Sequence, residues 1–236
     1  MNYPIFPYRI FPLGDAAITV DFGNCINEAI NKEVIARFNH LQQEPLPWMT
    51  EAVPAYSSIT VYYDVLMLRK KIPAEQTVYE WMKQQLDNML RQPIDQKDKT
   101  ERFVKIPVCY DDEFALDIQQ LAAAKNLSVD EVIQIHTSDV YKVYMLGFLP
   151  GFAYMGEVDD KIAMPRKQQP VKIAGGSVGI AGKQTGIYPL ASPGGWQIIG
   201  RTPLKLFDGN SNEPTLLKAG DTVQFYSITK NEFKNF

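Results

Sequence analysis

The sequence predicts an α+β chain with two domains: a ferredoxin-like α/β sandwich over residues 1–95 and a Gly-rich β domain over residues 96–236. Three observations carry this reading. Up to about residue 95, strand and helix patterns alternate. Residues 91–102 are polar, contain Pro93 and read as a linker. Beyond Tyr141 no helical period is sustained, and 11 of the 15 glycines fall between Gly147 and Gly200.

The elements follow in order. Tyr8-Arg9-Ile10-Phe11 and Ala17 to Phe22 read as strands around a Gly14-Asp15 turn. Ile30, Val34, Phe38 and Leu41 recur at helical spacing behind Asn27, a suitable N-cap. Residues 50–56 and 58–63 read as two strands, the second β-branched and aromatic throughout. Val78, Trp81, Met82, Leu86, Met89 and Leu90 mark the buried side of a second helix. Phe103 to Cys109 is a further strand, and it completes a β-α-β-β-α-β order. Two short helices come next, Leu116 to Lys125 and a second begun by the capping box Ser128-Val129-Asp130-Glu131 and ending near His136. Short β runs then alternate with turns such as Ser192-Pro193-Gly194-Gly195 and Asp208-Gly209, the pattern of a small closed barrel or sandwich.

Composition narrows the function classes. Apolar residues make up 45% and charged residues 22% of 236, an ordinary globular balance. Net charge is −3, so there is no basic excess to neutralise a phosphate backbone, and nucleic acid is not expected as a partner. Two cysteines, Cys25 and Cys109, and two histidines make a Cys/His zinc site implausible, and no metal is expected. Buried, inert thiols are the default for both cysteines. The N-terminus lacks a basic region followed by an unbroken apolar stretch, and the longest uncharged run, Val143 to Gly156, is too short to cross a bilayer. No membrane contact and a cytoplasmic location are expected.

Three stretches concentrate the chemistry. Gly175 to Gly186 resembles a phosphate loop, but Ser177 and Gln184 occupy positions where a Walker A loop needs Gly and Ser/Thr, and Pro189 follows at once. What remains open is whether Gly176, Gly179 and Gly182 are tight barrel corners or face a ligand through backbone amides. Phe148 to Tyr154 is either barrel core closed by a Pro-Gly turn or an aromatic pocket wall. His136 stands just before it. Arg166 and Arg201 suit two-pronged binding of carboxylate or phosphate, or serve loop carbonyls at a barrel end.

These residues resemble a family. His136-Thr137 through Tyr144 to Gly156, Gly176 to Pro189, and Ser192-Pro193-Gly194-Gly195-Trp196 through Ile199-Gly200-Arg201-Thr202-Pro203 are similar to the KipI family, the first-subunit group of bacterial 5-oxoprolinases and allophanate hydrolases. One segment departs from the family pattern. Pro165-Arg166 is kept, but Pro170 to Gly176 lacks a second Arg and a Pro, and Lys172 replaces that Arg only in part.

The resemblance implies a cyclophilin-like barrel, a homologous barrel partner of the C-type 5-oxoprolinase or second allophanate hydrolase subunit kind, and a third, A-type 5-oxoprolinase subunit. It implies ATP-dependent opening of the lactam of 5-oxo-L-proline to L-glutamate, with ATP and Mg in the complex and no tightly bound cofactor. The alternatives it leaves are a biotin carboxyltransferase in urea or allophanate metabolism and a non-enzymatic inhibitor of a sporulation histidine kinase. On this resemblance His136 acts as acid/base or phosphate contact, and Arg166 and Arg201 neutralise carboxylate or phosphate. Gly176, Ser177, Gly179, Gln184 and Thr185 line an anion site. Tyr188 and Tyr154, with Phe148, Pro150, Phe152 and Trp196, shape a pocket or an interface.

Overall fold

The computed structural model describes residues 6–93 and 102–236. Most of the expected linker, with the boundary between residues 95 and 96, lies outside them. The chain divides into two compact units, Met1–Thr100 and Glu101–Phe236.

The first unit holds β1 (Arg9–Pro12), β2 (Ala17–Asp21), α1 (Glu28–Gln43), β3 (Met49–Pro54), β4 (Ser58–Tyr63), α2 (Val65–Arg69) and α3 (Val78–Arg91). Its sheet runs β1-β2-β4-β3, with every neighbouring pair antiparallel. Strands β2 and β3 are therefore parallel to one another on either side of β4, joined through α1 as a split βαβ unit. Asn27 caps α1 by accepting the Ile30 N–H at 3.1 Å. Thr77 and Glu80 close a capping box on α3, which buries Met82, Leu86, Met89 and Leu90. Arg37 is buried on α1, yet it is satisfied: it pairs with Glu33 at 2.7 Å and donates to the carbonyls of Met89 and Gln92.

The ferredoxin-like order needs a closing strand after α3, and the sequence assigns Phe103 to Cys109 to that place. This assignment is corrected. Phe103–Val108 forms β5 in the second unit, and the sheet edge beside β2 is taken by β1 from the N-terminal side.

The second unit continues with α4 (Ile118–Lys125), α5 (Val129–Ser138), β6 (Tyr141–Leu146), β7 (Ala153–Gly156), β8 (Val171–Ile173), β9 (Ser177–Ala181), β10 (Gln184–Ile187), β11 (Ser192–Gly194), β12 (Gln197–Arg201), β13 (Thr222–Ser227) and α6 (Lys230–Lys234). Seven strands form one sheet in the order β12-β9-β10-β7-β6-β13-β5, and β8 pairs with β11 separately. The two ends of the long sheet meet. Cys109 and Arg201 exchange backbone hydrogen bonds at 2.9 and 3.0 Å, so the sheet curls into a nearly closed barrel. Its interior is packed by Ile106, Val108, Tyr141, Val143, Met155, Val178, Ile180, Ile199 and Phe225. The five-residue helices α2 and α6 have too little periodic pattern to be read from sequence. Cys109 is buried as expected, whereas Cys25 is exposed between β2 and α1; both are free thiols. Among the described residues no helix is long and apolar enough to cross a membrane.

Candidate functional site

The β6–β7 hairpin, the segment before β8, the end of β10 and the start of β12 meet around a cluster of aromatic rings. Phe152 lies at its centre, with ring centroids 4.7 Å from Tyr154, 5.1 Å from Tyr188, 5.4 Å from Trp196 and 5.9 Å from Phe148. Most of these pairs meet edge to face, the favoured arrangement of aromatic quadrupoles. Phe152, Tyr188 and Trp196 are sealed, Tyr154 is half-buried, and Phe148 and Pro150 are exposed. The hairpin tip is strained. Phe148 sits at φ 68° and is 65% exposed, while Leu149 N–H bonds the Gly147 carbonyl across it at 2.9 Å. Non-glycine residues held in this region cluster at functional sites.

Arg166 covers the cluster. Its guanidinium lies 5.8 Å over the Trp196 ring, while the residue remains exposed. Burial raises the Tyr154 hydroxyl pKa, and the nearby Arg166 charge pulls the other way. Tyr188 is raised by burial too, with its hydroxyl held by the Trp196 backbone N–H. The arrangement presents a planar cation and an aromatic rim on a rigid apolar floor. It suits a small anionic ligand or a partner surface.

The remaining expected site residues are placed elsewhere. His136 is fully enclosed. Its Nδ1 lies 2.8 Å from the Tyr110 hydroxyl and its Nε2 3.0 Å from Thr185 Oγ1. Thr185 donates to the Gly179 carbonyl, so it accepts from His136; the hydrogen-bond network thus assigns the proton to Nε2 and makes Nδ1 the acceptor from Tyr110. Burial pushes the His136 pKa down to about 3. In this geometry both ring nitrogens are taken by protein partners, and the neutral imidazole ties α5 to β10. Thr185 is enclosed with it.

Gly176, Ser177 and Gly179, expected to line an anion site, are built into the barrel wall. Gly176, at φ 83°, donates its N–H to the Tyr188 carbonyl at 2.7 Å, and a Cβ there would fall 2.5 Å from the Thr202 carbonyl oxygen. Ser177 N–H bonds Ala174, and Gly179 lies in register between Gly186 and Ile198. The Gly176 and Ser177 amides are thus engaged by protein carbonyls, and Gly179 is a mid-strand residue of β9. Gln184 begins β10 opposite Ala181 and Gly156, half-buried. Arg201 donates from Nε to the Gly175 carbonyl at 2.8 Å and lies over Phe114, a barrel-end role apart from Arg166. Among the described residues no group of three or more His, Cys, Asp or Glu gathers as a metal site.

Two residues that sequence reasoning passed over bear on the cluster, Asp117 and Lys167. Their ion pair, 2.6 Å long, spans fifty positions and left no local pattern to find.

Residues 8–217 match the carboxyltransferase domain, subdomain C and D. The chain belongs to this carboxyltransferase-domain family. Within it, the chain is 44% identical over 228 residues to the B-type 5-oxoprolinase subunit of Bacillus subtilis, covering 96% of this chain and 95% of that one. It is 35% identical over 222 residues to the B-type 5-oxoprolinase subunit of Escherichia coli O157:H7, covering 92% and 94%. A shorter match, 41% over 66 residues, relates 26% of the chain to 4% of a urea amidolyase from Lachancea kluyveri. Among solved structures, that of TTHA0988 superposes with a TM-score of 0.76 at 32% identity, covering 90% of this chain; the chain spans 40% of that protein's length. The carboxyltransferase-domain fold is thus a mixed α/β architecture with a nearly closed seven-stranded barrel.

Proposed function

We propose that this chain is the B-type component of a 5-oxoprolinase complex that uses ATP to hydrolyse 5-oxo-L-proline to L-glutamate. Support comes from relatives of that name that align with nearly the whole chain. The observation that carries the reading is the exposed Arg166 guanidinium on the Trp196 ring, beside Tyr154 and the protruding Phe148. The substrate is a flat five-membered lactam bearing one carboxylate. Arg166 receives the carboxylate by paired N–H donors, and the ring lies against the aromatic rim. The cluster opens to the surface, so it suits a site completed by another chain, here the homologous C-type barrel subunit together with the A-type subunit. ATP and Mg belong to the complex in this proposal. The residues of the Gly-rich segment do not fit them, and no step on this chain is routed through them.

The test is co-purification with A-type and C-type subunits, followed by an assay of glutamate release from 5-oxoproline with ATP and Mg²⁺. Release that requires all three chains supports the reading. A stable complex that releases no glutamate, yet carboxylates urea in the presence of a biotin carrier, supports the second reading, which the urea amidolyase match favours.

A further inference from the structure

Asp117 stands at the N-cap position of α4, yet its carboxylate makes no capping bond. It is turned toward β12. Oδ2 accepts the Ile198 N–H at 2.6 Å and pairs with Lys167 Nζ at 2.6 Å, while the Asp117 N–H donates back to the Ile198 carbonyl at 2.8 Å. The pair is largely removed from water, with side-chain exposures of 11% for Asp117 and 20% for Lys167. Two further bonds bracket residue 166. The Lys167 N–H donates to the Gly195 carbonyl at 2.7 Å, and Gln197 Nε2 donates to the Pro165 carbonyl at 2.8 Å. Residues on either side of Arg166 are thus tied to residues on either side of Trp196. An exposed arginine ordinarily samples many rotamers, and this bracket restricts where its side chain can start.

We propose that Asp117 is a positioning residue for ligand recognition. Through Lys167 and Ile198 it holds residues 165–167 against β12, and so sets Arg166 over Trp196 as the receptor for the carboxylate of a small cyclic ligand. The identity of that ligand rests on the 5-oxoprolinase reading; the positioning does not.

Two variants remove the ion pair from opposite sides. Asp117→Asn keeps an oxygen for the Ile198 N–H and loses the charge facing Lys167. Lys167→Met leaves the Asp117–Ile198 bond in place. The first measurement is the ring-current shift of the Arg166 side-chain protons, assigned by their absence in Arg166→Ala. In the wild-type chain these protons resonate upfield because they lie over Trp196; in both variants they move toward free-chain positions. The second is kinetics in the assembled complex. KM for 5-oxoproline rises about tenfold in either variant, with kcat within about twofold, and Asp117→Asn adds nothing to Arg166→Ala. Unchanged ring-current shifts in Lys167→Met overturn the proposal, even if Asp117→Asn does not fold. A fall in kcat at constant KM overturns it too. A wild-type complex without glutamate release defeats the substrate reading alone, and the ring-current shifts still decide the positioning.

Discussion

His136 shows how a catalytic residue type can be fully occupied by structure. Its ring is stacked on Phe225 at 4.6 Å and held at both nitrogens. Its pKa, near 6.5 in an open chain, is lowered to about 3 in the fold. Between these values the unfolded chain binds the proton and the folded chain does not. Stability from the neutral ring is therefore fully present above about pH 6.5 and is lost as pH falls toward 3, by about 1.4 kcal/mol for each pH unit. In urea unfolding, stability should drop by roughly 2 kcal/mol between pH 6.5 and 5 from this residue. His136→Gln should remove that part of the drop while lowering stability at pH 7.5. A wild-type ring whose NMR signals titrate near pH 6.5 would show that it is open to solvent. The sequence placed His136 correctly at the end of its helix, but enclosure depends on Tyr110 and Thr185, 26 and 49 positions away.

At the scale of elements, the strands and longer helices were legible, and their partners were not. The capping boxes at Ser128 and Thr77 and the apolar face of α3 are local patterns, and local patterns survive in one chain. Strand pairing is settled by side chains distant in sequence. Phe103 to Val108 completes a β-α-β-β-α-β order by position in the chain, yet it pairs with β13, more than a hundred residues on. Gly176 and Gly179, which the sequence leaves open as barrel corners or ligand-facing residues, are packed by the same non-local contacts. Gly200, where the barrel closes, is constrained in the same way: a Cβ there would lie 2.6 Å from Val108 Cγ1 and 3.0 Å from the Cys109 carbonyl oxygen. Gly200→Ala should push β5 from β12 and cost about 1–3 kcal/mol, the usual range for overpacking. Native-state hydrogen exchange would locate the damage. The Cys109 and Arg201 amides, which form the closing bonds, should lose protection before those of β9 and β10.

For the whole molecule, the placement of β5 decides where the chain can be cut. β5 runs parallel to β13 over six residue pairs, from Phe103–Thr222 to Val108–Ser227. It brings Ile106 and Val108, both fully buried, into the barrel core, and Cys109 forms the seam immediately after it. A second unit beginning after Cys109 loses all three. Burial of two aliphatic side chains is worth about 3–6 kcal/mol together, of the same order as the whole stability of many domains. It also leaves β13 with an unpaired edge on one side, open to association with other chains. Residues 102–236 expressed alone should therefore give a cooperative thermal transition and a monomer by size exclusion. Residues 110–236 should aggregate or lack a cooperative transition. If the shorter fragment melted as sharply as the longer one, β5 would be dispensable to the barrel, and the assignment of that strand to the first unit would return.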